Sequence, residues 1–406
     1  MVAKTNALHE SSRASLRTVL MLGVALFPWV PASAQHFIDV SAGLPSVVRG
    51  ADNSMDIAVG DIDADQDPDI IIAVEFRKNV ILLNDGKGNF LDGSHLLPDP
   101  KQTGTSSFAY HPHHDSEDIA LADFDQDGDL DLVFVSEDDQ ANEYYLNSGK
   151  GVFLDHSESF PVTGISNAIV AADFDGDGFT DLIIGNNGQN FYLRNSKGKF
   201  VDETATRLPK NSDITQDLVV HDLDEDGDPD VLVGNEQENQ VLLNDGMGFF
   251  TDATTRYFPA SVQESGETRK IAVGDVNTDG EEDLYFANVF MFQQMQPIQR
   301  LLIHSNSGFT DEAQERLGFS NSYSVIDANF ADLEADGDQD LLLVTTQGPL
   351  LYSNNGKGYF EDITTSTLGR FQVMGVDAAI HDFNGDQKPD IYLGNFRSGD
   401  KLFLQD

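Results

Sequence analysis

The chain has 406 residues, with 69 acidic against 24 basic side chains, a formal net charge of −45 and no cysteine. That charge repels phosphate backbones and anionic lipid, which excludes nucleic acid and membrane surfaces as partners, and the missing thiols exclude a disulfide-stapled scaffold. Extreme acidity also marks disordered chains, but 40% of the residues are hydrophobic and the acids recur in register, so a folded protein is expected.

The first 34 residues are expected to lie outside the fold. Arg13 and Arg17 precede an apolar run from Val19 to Val30, and Ala32-Ser33-Ala34 follows. A basic flank, a short apolar core and a small-x-small site describe a secretory signal peptide cleaved near Ala34. The run is too short for a membrane span. The expectation is an exported monomer, secreted, periplasmic or at the cell surface, whose mature part begins at residue 35. Its only tryptophan, Trp29, belongs to the leader.

Seven acidic segments then follow, roughly 50 residues apart, within the range of propeller blades. The first four place aspartate at positions 1, 3, 5 and 9: Asp61, Asp63, Asp65 and Asp69; Asp123, Asp125, Asp127 and Asp131; Asp173, Asp175, Asp177 and Asp181; Asp222, Asp224, Asp226 and Asp230. The last three vary at position 3: Asp275, Asn277, Asp279 and Asp283; Asp332, Glu334, Asp336 and Asp340; Asp382, Asn384, Asp386 and Asp390. Position 6 is glycine except in loops one and seven, which carry Gln66 and Gln387.

Each segment sits in the same grammar. A short apolar strand precedes it, as in Asp118-Ile119-Ala120-Leu121-Ala122, and a branched strand follows, as in Leu182-Ile183-Ile184. A third strand such as Val241-Leu242-Leu243 runs into a hairpin turn such as Asn244-Asp245-Gly246, whose residues tolerate positive φ. A fourth is marked by Phe153-Leu154-Asp155, Phe250-Thr251-Asp252 or Phe360-Glu361-Asp362. Four strands per unit, with no helix between them, make an antiparallel blade. The last unit stops at its third strand, Leu402-Phe403-Leu404-Gln405-Asp406, while His36-Phe37-Ile38-Asp39-Val40 reads as a lone fourth strand. The predicted fold is an all-β, seven-bladed β-propeller over residues 35–406, its last blade closed by the N-terminal strand near 36–40, with calcium-binding loops between the first and second strands of each blade.

The loop D-x-D-x-D-G-x-x-D resembles the first half of an EF-hand loop, which implies side-chain oxygens from positions 1, 3, 5 and 9 and a carbonyl from position 7 around Ca²⁺. The flanks are strands, and position 12 is apolar throughout, from Ile72 in the first loop to Leu393 in the last. This arrangement resembles the FG-GAP and VCBS repeats of integrin α-chain propellers and of many secreted bacterial proteins. The resemblance implies up to seven Ca²⁺ ions, mainly structural, with loops one and seven the poorest fits. At tenfold saturation each would add about 1.4 kcal/mol, in place of disulfides.

Departures from regularity fall on the opposite face, in the connections from second to third strand and from unit to unit. One link carries Tyr110, His111, His113 and His114; another stretch carries Phe290 and Phe292; Arg77 and Arg397 occupy equivalent turns of units one and seven. Insertions on one face of a repeat fold mark a binding face, and the integrin resemblance implies the same side. The chain therefore reads as a binding or adhesion module for extracellular protein or glycan. The alternative is a polysaccharide-active enzyme of lyase or dehydratase type, with Tyr110, His113 and Arg77 cast in its chemistry. No nucleophile motif, phosphate loop or dinucleotide fingerprint supports catalysis. His221 and His381, each just before a loop, are expected to pack near the axis.

Overall fold

Short strands cannot each bury a face alone, so repeated units must stack to share a core. The computed structural model describes residues 36–50, 52–99, 113–137, 140–259, 262, 266–289, 298–305, 308–318 and 323–406. The leader read over residues 1–34, and Tyr110, His111, Phe290 and Phe292, lie outside the described residues.

Among the described residues the strands form five four-stranded antiparallel sheets and one eight-stranded sheet, in which two further four-stranded units are joined where Asp52 and Asn53 pair with Ser398 and Phe396, giving seven repeating units. The first consists of Asp52–Gly60, Asp69–Val74, Val80–Asn84 and Phe90–Asp92. The seventh consists of Gly375–His381, Asp390–Ser398, Lys401–Gln405 and the N-terminal strand Phe37–Asp39, in register Phe37↔Gln405 and Asp39↔Phe403. The first strands of the seven units contact one another in a closed cycle, unit seven meeting unit one. Radial sheets in a ring are a β-propeller.

The second strand of each unit lies between sheet neighbours and beneath adjoining units, so it is buried along its length, as in Asp69–Val74 and Asp340–Thr345, except that in unit seven the last three residues, Phe396 to Ser398, emerge toward solvent. Adjoining units share apolar clusters, such as Phe124, Tyr144, Leu182 and Phe200 between units two and three. Loop position 2 always contributes a buried apolar side chain: Ile62, Phe124, Phe174, Leu223, Val276, Leu333 and Phe383. Each acidic loop is thus pinned to the core beside its own carboxylates.

Two further devices, neither evident from the repeat spacing, tie the units. The aspartate closing each fourth strand accepts the N–H two residues on, in Asp39–Ser41, Asp92–Ser94, Asp155–Ser157, Asp202–Thr204, Asp252–Thr254, Asp311–Ala313 and Asp362–Thr364. This starts a single helical turn where no helix was expected, because Asp and Thr or Ser bond locally to the backbone. The hydroxyl then accepts an N–H of the third strand, as Thr204 does from Tyr192 at 2.9 Å. Ala313 of unit five has no hydroxyl to do so.

The second device joins units. The amide of Asn84, Asn147, Asn195, Asn244, Asn354 or Gln405, ending the third strand, donates to the position-2 carbonyl of the preceding unit. Unit five carries His304 instead, stacked on Phe309 at 4.6 Å.

Candidate metal loops and the face opposite them

A tight turn crowded with carboxylates needs donors to hold it. In loop two the Asp123 carboxylate accepts the N–H groups of Asp127 at 3.1 Å and Gly128 at 3.0 Å. Asp125 accepts from Asp127 at 3.2 Å, and Asp127 from Asp129 at 3.1 Å. The same hydrogen bonds from positions 5 and 6 to the position-1 side chain recur in loops one, four, five, six and seven. Position 6 has positive φ throughout, +98° at Gly128, and Gln66 and Gln387 hold it at +79° and +69°. A side chain there costs roughly 1 kcal/mol relative to glycine.

Position 9 has a second role besides facing the loop, where Asp69 and Asp230 converge with the carboxylates of positions 1 and 3. Asp131 is buried, with Oδ1 accepting from Asn147 N at 2.8 Å and Oδ2 from Phe124 N at 2.9 Å. Asp69, Asp230, Asp283, Asp340 and Asp390 repeat this pair of bonds. In Asp181 the second oxygen instead accepts from the Tyr192 hydroxyl at 2.6 Å. Burial pushes Asp69, Asp131, Asp181, Asp283 and Asp340 up to about 7, and Asp230 and Asp390 up to about 6. These carboxylates pin the second strand to the third and to the loop.

Whether a cation fits depends on convergence. Asp61, Asp63 and Asp69 bring one oxygen each within 4.8 Å of one another, as do Asp123, Asp125 and Asp127; Asp173, Asp175 and Asp177; and Asp222, Asp224 and Asp230. Asp173 Oδ1 and Asp224 Oδ1 are buried and lack a hydrogen-bond partner. Unpaired oxygens amid like charges suit a hard cation. Loop three also receives Arg207 at 3.3 Å from Asp175 and Arg194 at 3.6 Å from Asp177, which supply part of the counter-charge. In loop six Glu334 turns aside to accept from Ser353 Oγ at 2.6 Å, and loops five and seven substitute Asn277 and Asn384.

On the opposite face Arg77 is exposed in the turn after Asp69–Val74 and borders a cavity of about 510 Å³ with Val47, Val48, Ser54, Val74 and Lys78. Arg397 is exposed too, its guanidinium 4.9 Å from the Phe396 ring. His113 is half-buried, and burial lowers its pKa. His114 is only 8% exposed, its Nε2 3.7 Å from Glu143 Oε1, so it packs under the surface rather than in solvent. His221 is half-buried, and His381 is exposed with its ring 5.7 Å from Phe383.

The side chains lining the axis are others: Asp56, Asp118, Asp217, Lys270, Asp327 and Asp377, with Glu117 and Arg269 beside them. Each of the six stands five residues before the first carboxylate of its loop, a regularity present in the sequence and overlooked; unit three has Ala168 there.

A family model described as FG-GAP-like repeat matches residues 61–133, 123–184, 173–233, 222–286 and 332–393. Cartilage acidic protein 1 of Mus musculus is 30% identical over 133 residues, 32% of this chain; the match spans 19% of that relative's length. Among solved structures, BBS1N in complex with ARL6DN superposes with a TM-score of 0.55 at 9% identity, covering 92% of this chain and 97% of that one. The extracellular domain of a hybrid two component system from B. thetaiotaomicron gives 0.52 at 13% identity, covering 91% of this chain and 39% of that one. Among the described residues no helix is long and apolar enough to cross a membrane.

Proposed function

Since the chain belongs to the FG-GAP-like repeat family, we propose that it is an exported, calcium-stabilised binding module that recognises extracellular carbohydrate or protein through the face opposite its acidic loops. One observation carries the reading: a cavity of about 510 Å³ lies beside Arg77 and Lys78 on that face of a chain whose formal charge is −45. Basic side chains grouped beside a concave, partly apolar wall suit an acidic group on a ligand. Lys78 is held by Asp99 at 2.9 Å, while Arg77 is exposed at the rim of the same cavity, where its guanidinium is placed to meet that ligand. The loops serve stability: they recur in every unit, including the one that joins both chain ends, as a fastening does and a single ligand site does not.

The test is capture of arrayed acidic and neutral glycans and of purified cell-surface proteins by the mature chain, with Arg77→Ala alongside. Binding that falls at least tenfold in Arg77→Ala, with the melting temperature unchanged, supports the reading. Ligand binding indifferent to Arg77→Ala, or no binding beyond calcium, overturns it.

A further inference from the structure

Among the described residues, six of the seven turns between second and third strands are clasped in one way. A polar residue near the end of the second strand donates to a carbonyl of the turn that follows. Ser136 Oγ reaches Ala141 at 2.9 Å, Asn186 Nδ2 Gln189 at 3.1 Å and Asn235 Nδ2 Glu238 at 2.7 Å. Thr345 Oγ1 reaches Gly348 at 2.7 Å and Asn395 Nδ2 Gly399 at 2.9 Å, and Asn288 meets Ile298 likewise in unit five. Unit one has Val74 at the equivalent place, opposite Ser54 as Ser136 is opposite Ser116, and valine has no donor to offer. The same turn carries Arg77 and Lys78, where the equivalent pairs Gln140-Ala141, Gly188-Gln189, Gln237-Glu238 and Ser398-Gly399 contain no base. Phe76, just before them, has a φ of +53°, which a bulky side chain adopts only at a cost. Departures from a repeat that forfeit a stabilising contact mark function.

These departures meet in the cavity of about 510 Å³, a size typical of ligand pockets. Val47, Val48, Val74 and Val80 form its apolar wall and Arg77 and Lys78 its basic edge; among the described residues no aromatic ring lines it. A sugar ring is gripped by stacking its C–H face on an aromatic ring, which this wall does not offer. An aliphatic side chain packs well against valine. The chain's own Asp99 shows that the edge takes a carboxylate, pairing with Lys78 at 2.9 Å while itself 85% exposed, where such a pair exchanges readily. At physiological ionic strength charges farther than roughly 8 Å are screened, so an acidic ligand meets these two cations rather than the net charge of the chain.

We propose that this cavity binds an acidic peptide segment, a carboxylate meeting Arg77 and Lys78 while an adjacent aliphatic side chain lies against the valines. The assignment rests on the binding face proposed for this chain and narrows its ligand to protein.

The probes are fluorescein-labelled peptides of glycine and serine with a central Glu-Leu pair, Gln-Leu and Glu-Ser controls, and a labelled oligogalacturonate. Fluorescence anisotropy on the mature chain, in buffered calcium at physiological salt, is expected to show the Glu-Leu peptide binding at least tenfold tighter than the other three. Arg77→Ala should weaken that binding at least tenfold. Val74→Asn, which installs the clasp of the other units, should weaken it as much, with the melting temperature unchanged or raised. Equal affinity for the Glu-Leu and Glu-Ser peptides, or indifference to Val74→Asn, would overturn the peptide assignment. Arg77-dependent binding of oligogalacturonate in preference to the peptides would overturn it too, while leaving the binding face intact. If no probe's binding depended on Arg77, the binding face itself would fall.

Discussion

Loop two separates what calcium does from what the protein does unaided. Asp125 and Asp131 share one loop, but Asp125 lies near the surface and accepts the Asp127 N–H at 3.2 Å. Asp125→Asn keeps that acceptor and removes one charge beside Asp123 and Asp127. Without metal it should change stability by no more than about 0.5 kcal/mol. With calcium at ten times its dissociation constant, the intact loop gains about 1.4 kcal/mol, and the variant forfeits most of it. Asp131→Ala behaves otherwise, because it strips the acceptor from Asn147 N and Phe124 N inside the core. Each orphaned donor costs about 1–3 kcal/mol, offset partly by release of a buried charge that burial had pushed up to about 7. A net loss of roughly 2 kcal/mol, alike in calcium and in chelator, is expected. Urea unfolding followed by circular dichroism, in buffered calcium and in excess chelator, reads all four values. An Asp125→Asn penalty of the same size in both buffers would refute the metal assignment, and an Asp131→Ala penalty confined to calcium would refute the structural one.

Two other outcomes follow from the same geometry. In chelator, stability should fall as pH rises from about 4 to 7. Burial raises Asp118 and Asp217 to about 6 and lifts Asp56, Asp327 and Asp377, against Lys270, Arg269 and Glu117 in the same chamber. A carboxyl whose folded pKa exceeds its unfolded value contributes stability below the unfolded value, and that contribution is lost as pH passes the folded one. The position-9 aspartates shift the same way, so a stability maximum at neutral pH in metal-free protein would contradict both. Ala313→Thr should raise stability by about 1 kcal/mol in urea unfolding, by giving Leu301 N–H the hydroxyl acceptor that Tyr192 N–H has in Thr204; no gain would mean that this clasp is immaterial.

The loops were legible because four carboxylates at positions 1, 3, 5 and 9 around a glycine have few purposes in a folded chain. The second strands were legible because a run such as Ile70-Ile71-Ile72 can only be buried. The Asp-x-Thr or Asp-x-Ser turns escaped notice for a local reason. Asp202 reads as the polar end of a strand, and only the backbone shows that its carboxylate reaches Thr204 N while the threonine reaches Tyr192 N. The axial ring escaped for a subtler one. A strand with strict alternation would not send Asp118 and Asp327 together to the axis; the bulge beside each one does, and a bulge has no side-chain signature. Constant offset from the loop was the available signal, since neighbouring repeats must present equivalent positions to the centre.

Unit five breaks these rules together. It holds Asn277 in its loop, His304 where other third strands end in an amide, Ala313 in place of a hydroxyl and Lys270 in a ring of aspartates. Three of the four changes remove a tie, and the fourth inserts the only cation lining that ring position. Each loss alone is worth about 1 kcal/mol, little beside the cooperative closure supplied by Phe37–Asp39 on Lys401–Gln405. A closed ring tolerates one weakly fastened member, because its neighbours on both sides are fixed by their own amides, as Asn244 fixes unit four to unit three. The sequence stretch with Phe290 and Phe292 belongs to this same unit. Six fully fastened units thus carry the seventh, as nearest-neighbour coupling in a repeat fold requires.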